Sequence, residues 1–170
     1  MRVCEAVAEF LAQHVSHVFT ISGGANLWMI DAIGKRDDIR IICPQNEQSA
    51  SFQADAYARL HHMGCALVTS GPGATNLVTG IAASYYDSVP VLYITGNQTR
   101  NRLDAFGTRQ YGFQATPIVG IVKSITKFAV QVIDPPNAIP MLAAAIVIAK
   151  QGRRGPVLVD IPDDISRAQC

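Results

Sequence analysis

The sequence predicts a doubly wound α/β domain, with a mostly parallel sheet covered by helices on both faces. Three observations carry that expectation. Segments of strand character alternate with segments of helical spacing along the chain. The strand segments are apolar at consecutive positions, as in VPVLYITG (89–96), so both of their faces lie in a core. Glycine- and asparagine-bearing clusters follow several strands, where an open parallel sheet presents its ligand crevice.

The elements follow in order. Residues 3–15 have helical spacing, with Val3, Val7, Phe10 and Leu11 on one face. HVFTIS (17–22) reads as a buried strand closed by Gly23-Gly24. A short helix over 26–33 precedes a strand at 39–44, IRIICP, and a longer helix over about 47–60. CALVTS (65–70) is the next strand, ending at Gly71-Pro72-Gly73, with a helix over roughly 74–85. After the strand at 89–96, residues 97–120 read mostly as loop, with Gly107, Gly112 and Pro117. ITKFAVQV (125–132) alternates as a strand, a helix occupies about 136–150, and PVLVDIP (156–162) is the last strand. No repeat, low-complexity segment or linker interrupts them, so residues 1–170 are read as a single domain.

Composition narrows the partners. The 170 residues are 49% hydrophobic and 16% charged, enough for a substantial core with surface left for burial against a partner. Lys and Arg number 14 against 13 Asp and Glu, a net charge of +1, which gives no basic field for nucleic acid. The apolar run AIPMLAAAIVIA (138–149) is too short to span a bilayer, and the N-terminus lacks a signal-peptide pattern. Cys4, Cys43, Cys65 and Cys170 are scattered without a CxxC pair, so neither a disulfide framework nor a metal site is expected. A reducing, cytoplasmic setting follows.

Polar groups converge from three strand ends: Gly23-Gly24, Asn46-Glu47 and SGPGATN (70–76). In the last, Gly71 and Gly73 permit a tight turn, and Thr75 or Asn76 is placed to cap the next helix. As a dinucleotide fingerprint it lacks the third glycine, and Asp87 precedes its strand instead of ending one. Glu47 has two readings. It is a first-turn acid stabilised by the helix dipole, or a carboxyl in a crevice walled by Ser49, Ala50, Phe52 and Ala54, exchanging a proton near neutral pH. His61-His62 sit at a helix end and read as capping residues; His14 and His17 flank a turn with no acidic partner. Arg109, Gln110 and Gln114 lie in a glycine-containing loop facing substrate or solvent, and Asp163-Asp164 begin a turn. Ser22 and Ser70 have no His/Asp relay, which argues against nucleophilic hydrolysis.

Taken in order, GGANLWMIDAI, NEQSASFQADAYAR, LVTSGPGATNLVTGIAAS, VPVLYITGNQ, FQ, ITK and GPVLVDIPDD closely resemble one domain. It is the pyrimidine-binding (PYR) domain of thiamine-diphosphate enzymes, in the acetolactate synthase-like group. The resemblance covers essentially the whole chain and implies the thiamine-diphosphate-binding fold. It places Glu47 as the cofactor-activating glutamate, which hydrogen-bonds N1′ of the aminopyrimidine and promotes the 4′-imino tautomer. The imino nitrogen then removes the thiazolium C2 proton, giving an ylid that attacks a 2-keto acid for decarboxylation and carboligation. Gly23, Gly24 and Ala25 match the loop beside the thiazolium. Gly71, Pro72, Gly73, Ala74, Thr75 and Asn76 match the turn that supports the pyrimidine site and the subunit contact. Gln114 matches a glutamine that reaches the reacting centre.

Three positions depart from the pattern: Asn46 stands where histidine is usual, Trp28 where proline is common, and Ala115 where an acid usually follows the glutamine. They lie toward the substrate and weaken pyruvate as the implied substrate. The family holds the diphosphate through Mg²⁺ on a second, PP domain with a GDG motif and a downstream Asn pair, and this chain has neither motif. The family's middle domain is absent too, so FAD, which acetolactate synthases place largely there, belongs only to a parent enzyme. The chain is therefore expected to be inactive alone and to form a homodimer or higher homo-oligomer. It reads as a fragment of a longer enzyme, as the PYR subunit of a two-chain keto-acid decarboxylase, or as a noncatalytic assembly module. The alternative from another class is a nucleotide-binding α/β domain in which Glu47 is incidental.

Overall fold

A computed structural model describes residues 1–103 and 108–170. In chain order the elements are α1 (Val3–Ala12), β1 (His17–Thr20), α2 (Leu27–Gly34), β2 (Arg40–Ile42), α3 (Glu47–His61) and β3 (Gly64–Val68). There follow α4 (Pro72–Thr75), α5 (Val78–Tyr86), β4 (Val91–Asn97), α6 (Ile118–Val122), β5 (Phe128–Gln131), α7 (Ala138–Lys150), β6 (Val157–Pro162) and α8 (Asp163–Arg167). The six strands form one sheet in the order β2-β1-β3-β4-β6-β5, parallel throughout.

The continuous apolar strands acquire their meaning from the two-residue period of the sheet. Cys65 and Leu67 of β3, with Leu92 and Ile94 of β4, enter a core beneath α1, α2 and α7. Ala66 and Val68, with Val91 and Tyr93, enter a second core beneath α3, α5 and α6. Leu142 of α7 is fully buried in the first core. Leu142→Ala is expected to cost about 2–5 kcal/mol, read as a lowered urea midpoint with an unchanged slope.

The helix bearing Glu47 is pinned along its length. Asn46 caps it, its Oδ1 accepting from the Ser49 amide at 2.8 Å. At the other end His62 adopts φ 65° as the C-cap, with its amide donating to the Ala58 carbonyl, so the expected capping role falls on this histidine. His61 instead stacks on Tyr57, with ring centroids 4.2 Å apart. Midway, buried Asp55 accepts from Ser84 Oγ of α5 at 2.7 Å and from Arg59 at 2.7 Å, while Ser84 Oγ pairs with Tyr93 OH of β4 at 3.0 Å. Burial pushes the Tyr93 phenol above its ordinary pKa. Helix, neighbouring helix and strand are thus tied by one polar network inside an apolar layer.

Several boundaries differ from expectation. The helix anticipated over 74–85 is two pieces, α4 and α5, separated at Asn76-Leu77. Neither Thr75 nor Asn76 caps α5; Leu77 holds that position without a side-chain bond. The segment read as loop over 97–120 contains a 3-10 turn at Arg100–Arg102 and helix α6, while Gly107 lies outside the described residues. Asp163 and Asp164 open α8, where negative charge suits the helix N-terminus. Lys127 donates to the Ile148 and Gln151 carbonyls at the end of α7, satisfying groups that the helix leaves open.

Candidate functional site

The C-terminal ends of β1, β3 and β4 meet above the sheet. After β1 the chain turns through Gly23, whose amide donates to Asn26 Oδ1 at 2.8 Å, while Asn26 Nδ2 returns to the Ile21 carbonyl at 3.0 Å. The turn lies directly on Thr69, the residue following β3: Thr69 Oγ1 accepts from the Ala25 amide at 3.2 Å. A Cβ on Gly23 would stand 2.5 Å from Thr69 Cβ, and one on Gly73 would stand 2.7 Å from Thr69 Cγ2. Thr69 is therefore the wedge between the two glycine loops. Sequence reasoning passed over it as the tail of a strand, since a threonine in a strand is unremarkable.

Gly71 has φ 64°, a left-handed conformation that side chains rarely adopt. A Cβ there would stand 2.6 Å from Gln114 Cβ, so the turn and the Gln114 segment are in direct contact. Gln114 itself has φ 59°, uncommon for a residue with a side chain. Pro72 starts α4, where its missing N–H and fixed φ are harmless, and is exposed; Ala74 is buried beneath it.

Glu47 and Asn76 are brought together. Asn76 Nδ2 donates to Glu47 Oε2 at 2.9 Å, which explains why this asparagine is not spent on capping. Among the described residues Oε1 has no hydrogen-bond partner, and it lies 3.5 Å from where a Cβ on Gly73 would be. One carboxylate oxygen is thus held while the other faces a position without a side chain. That cradle fits the edge of a planar heterocycle offering one nitrogen to hydrogen-bond. Glu47 is half-buried and Phe52 is 43% exposed, so the dry crevice expected around Glu47 requires a wall from outside this chain.

A small cavity of about 160 Å³ collects Gly24, Ala25, Thr69, Ser70, Asn97 and Gln114, among others. It brings the first glycine loop to Gln114, whereas Glu47 lies outside it. Arg109 and Gln110 do not join them. They line a separate, larger hollow of about 530 Å³ with Tyr111, Thr116 and Gln131, and Gln110 Nε2 donates to the Ala115 carbonyl at 3.2 Å, next to Gln114. Asn97 and Asp163, which border the smaller cavity, were not anticipated; each stands where a strand ends, which was the available signal.

The three departures acquire local roles. Asn46 is the N-cap of the Glu47 helix. Trp28 lies under the Arg2 guanidinium, 5.2 Å from the ring centroid. Ala115 donates its amide to the Gly112 carbonyl at 2.9 Å. Among the described residues no helix is long and apolar enough to cross a membrane.

Similarity to known proteins agrees with this geometry. The chain is 43% identical over 169 residues to the acetolactate synthase of Arthrospira platensis, covering 96% of this chain and 28% of that protein. It is 43% identical to the acetolactate synthase large subunit of Parasynechococcus marenigrum, covering 96% and 27%. It is 42% identical to the chloroplastic acetolactate synthase of Arabidopsis thaliana, covering 91% and 22%. The chain thus spans about a quarter of the length of the curated relatives it matches. A family model described as thiamine pyrophosphate enzyme, N-terminal TPP binding domain, matches residues 1–121. The chain belongs to that family of N-terminal thiamine-diphosphate-binding domains.

Proposed function

We propose that this chain supplies the pyrimidine-binding half of a thiamine-diphosphate site in an acetolactate synthase-like enzyme acting on a 2-keto acid. The observation that carries the reading is Glu47 at the start of α3, oriented by Asn76 and, among the described residues, left with one unbonded carboxylate oxygen beside Gly73. Bound thiamine diphosphate supplies the nucleophilic carbon and electron sink for decarboxylation and carboligation. Glu47 would present its unbonded oxygen to N1′ of the aminopyrimidine, with Asn76 fixing the carboxyl's rotation. Gly23, Gly24 and Ala25 form the loop that would lie beside the thiazolium ring, and Gly71, Pro72 and Gly73 the turn that would support the pyrimidine. Gln114, which lines the small cavity with Gly24 and Ala25, would face the reacting centre. The diphosphate and its Mg²⁺ are held by a PP domain on the same or a separate chain, and the isolated chain is inactive without it.

Exposed apolar side chains fit the same reading. Phe52 on α3 and Tyr86 on α5 are 43% and 69% exposed, the apolar surface a second PYR domain would cover. The isolated chain is expected to run as a homodimer in size-exclusion chromatography; a monomer at high micromolar concentration contradicts this. Function itself is tested by mixing the chain with a PP-domain chain, thiamine diphosphate and Mg²⁺, and following pyruvate and other 2-keto acids. Turnover that requires both chains supports the proposal. No turnover with any keto acid, in a mixture shown to assemble, contradicts it.

A further inference from the structure

Asp160, near the C-terminal end of β6, is wholly buried, and every group that reaches it is a neutral donor. Thr95 Oγ1 donates at 2.6 Å and Asn97 Nδ2 at 2.9 Å, both from β4; Gln131 Nε2 donates at 2.7 Å from β5. Among the described residues no cation pairs with it, and burial pushes its carboxyl above the usual range. A buried acid without a counter-charge is an expensive way to join three strands. The arrangement makes sense through what Asn97 does next.

Asn97 uses its whole amide. Nδ2 donates to Asp160 and also to the Thr116 carbonyl at 3.0 Å, while Oδ1 accepts from the Gln98 amide at 2.9 Å. Thr116 Oγ1 donates to the Gln114 carbonyl at 3.2 Å. Gln114, at φ 59°, then rests on Gly71, at φ 64°. Because Oδ2 of Asp160 takes the Nδ2 of Asn97, the Asn97 NH₂ points inward, and its second hydrogen captures the Thr116 carbonyl.

We propose that Asp160 is a positioning residue: through Asn97 and Thr116 it fixes Gln114 against the Gly71 turn at the mouth of the small cavity. The functional part of this inference rests on Gln114 facing the reacting centre, as proposed above. Asp160→Ala removes the oxygen, Oδ2, that accepts from both Asn97 and Gln131, so nothing then fixes which way the Asn97 amide points. The loop tie through Thr116 is then lost while the apolar cores remain.

Two readouts on the full chain test this. By amide hydrogen exchange, Asp160→Ala is expected to speed the Gly112 and Ala115 amides at least tenfold more than the α1 and α7 amides. In the mixture with a PP-domain chain, KM for the keto acid is expected to rise at least fivefold, with half-saturation by thiamine diphosphate unchanged. Unaltered exchange at Gly112 and Ala115 overturns the tie, and a KM that stays fixed overturns the positioning role. If Asp160→Ala does not fold, Asn97→Ala removes the amide that joins Asp160 to the Thr116 carbonyl, together with its bond from Gln98, and is expected to give the same local acceleration. A wild-type mixture that assembles without turnover counts against the proposed function alone, and exchange then decides the tie by itself.

Discussion

Glu47→Gln lowers thiamine-diphosphate-dependent turnover by about 10²–10⁴-fold in the mixture with a PP-domain chain, the range lost when a positioned proton-transfer group is removed. The substitution keeps nearly the same shape. Its amide oxygen still accepts from Asn76 Nδ2, which holds Glu47 Oε2 at 2.9 Å. What disappears, on the function proposed above, is the carboxyl that faces the cofactor's ring nitrogen. Because Glu47 is half-buried and carries no structural ion pair among the described residues, the urea midpoint should change by less than about 0.5 kcal/mol equivalent. Steady-state rates and urea unfolding on the same preparations check both halves. Unchanged turnover would make Glu47 an ordinary first-turn acid.

Gly64→Ala destabilises the domain by about 3 kcal/mol, at the upper end of the usual overpacking range. A Cβ at Gly64 would stand 2.0 Å from the Ala54 carbonyl oxygen and 2.8 Å from its carbon. The obstruction is backbone, so no rotamer change relieves it. Either β3 bends away from its pairing with β4, or α3 lifts off the sheet and carries Glu47 with it. The Asp55–Ser84–Tyr93 network opposes the second route, which concentrates the strain. Urea unfolding monitored by circular dichroism measures the loss; a change below about 1 kcal/mol would show that α3 shifts freely.

The architecture was legible because both sheet faces are buried. Continuous runs such as VPVLYITG have only one economical home, a covered parallel sheet, and β4 occupies it from Val91 to Asn97. The helix of Glu47 was legible from the spacing of the small and apolar residues that follow it, whereas the Asn46 cap emerged only from the fold. The break between α4 and α5 was not. Nothing in GATNLVTG opposes a single helix, and it is Asn76, drawn to Glu47 from 29 positions away in sequence, that marks the corner. The role of Thr69 and the chain from Asp160 to Gln114 are also non-local. The first exists only once β1 and β3 pair, the second only once β4, β6 and β5 lie side by side, and a lone buried aspartate in PVLVDIP carries no trace of the partners it will find. The meeting of Glu47 and Gly73 was anticipated as convergence of strand ends, whereas the carboxylate's held and free oxygens required coordinates.

The central claim is that this chain is half of a thiamine-diphosphate site, built on Glu47. Calorimetric titration of thiamine diphosphate with Mg²⁺ into the chain alone, the PP-domain chain alone, and the two together tests it most directly. The account predicts saturable binding only when both chains are present, with a changed affinity in Glu47→Gln. Binding of NAD or another nucleotide to this chain alone, insensitive to Glu47→Gln, with no thiamine diphosphate bound by the pair, would contradict it.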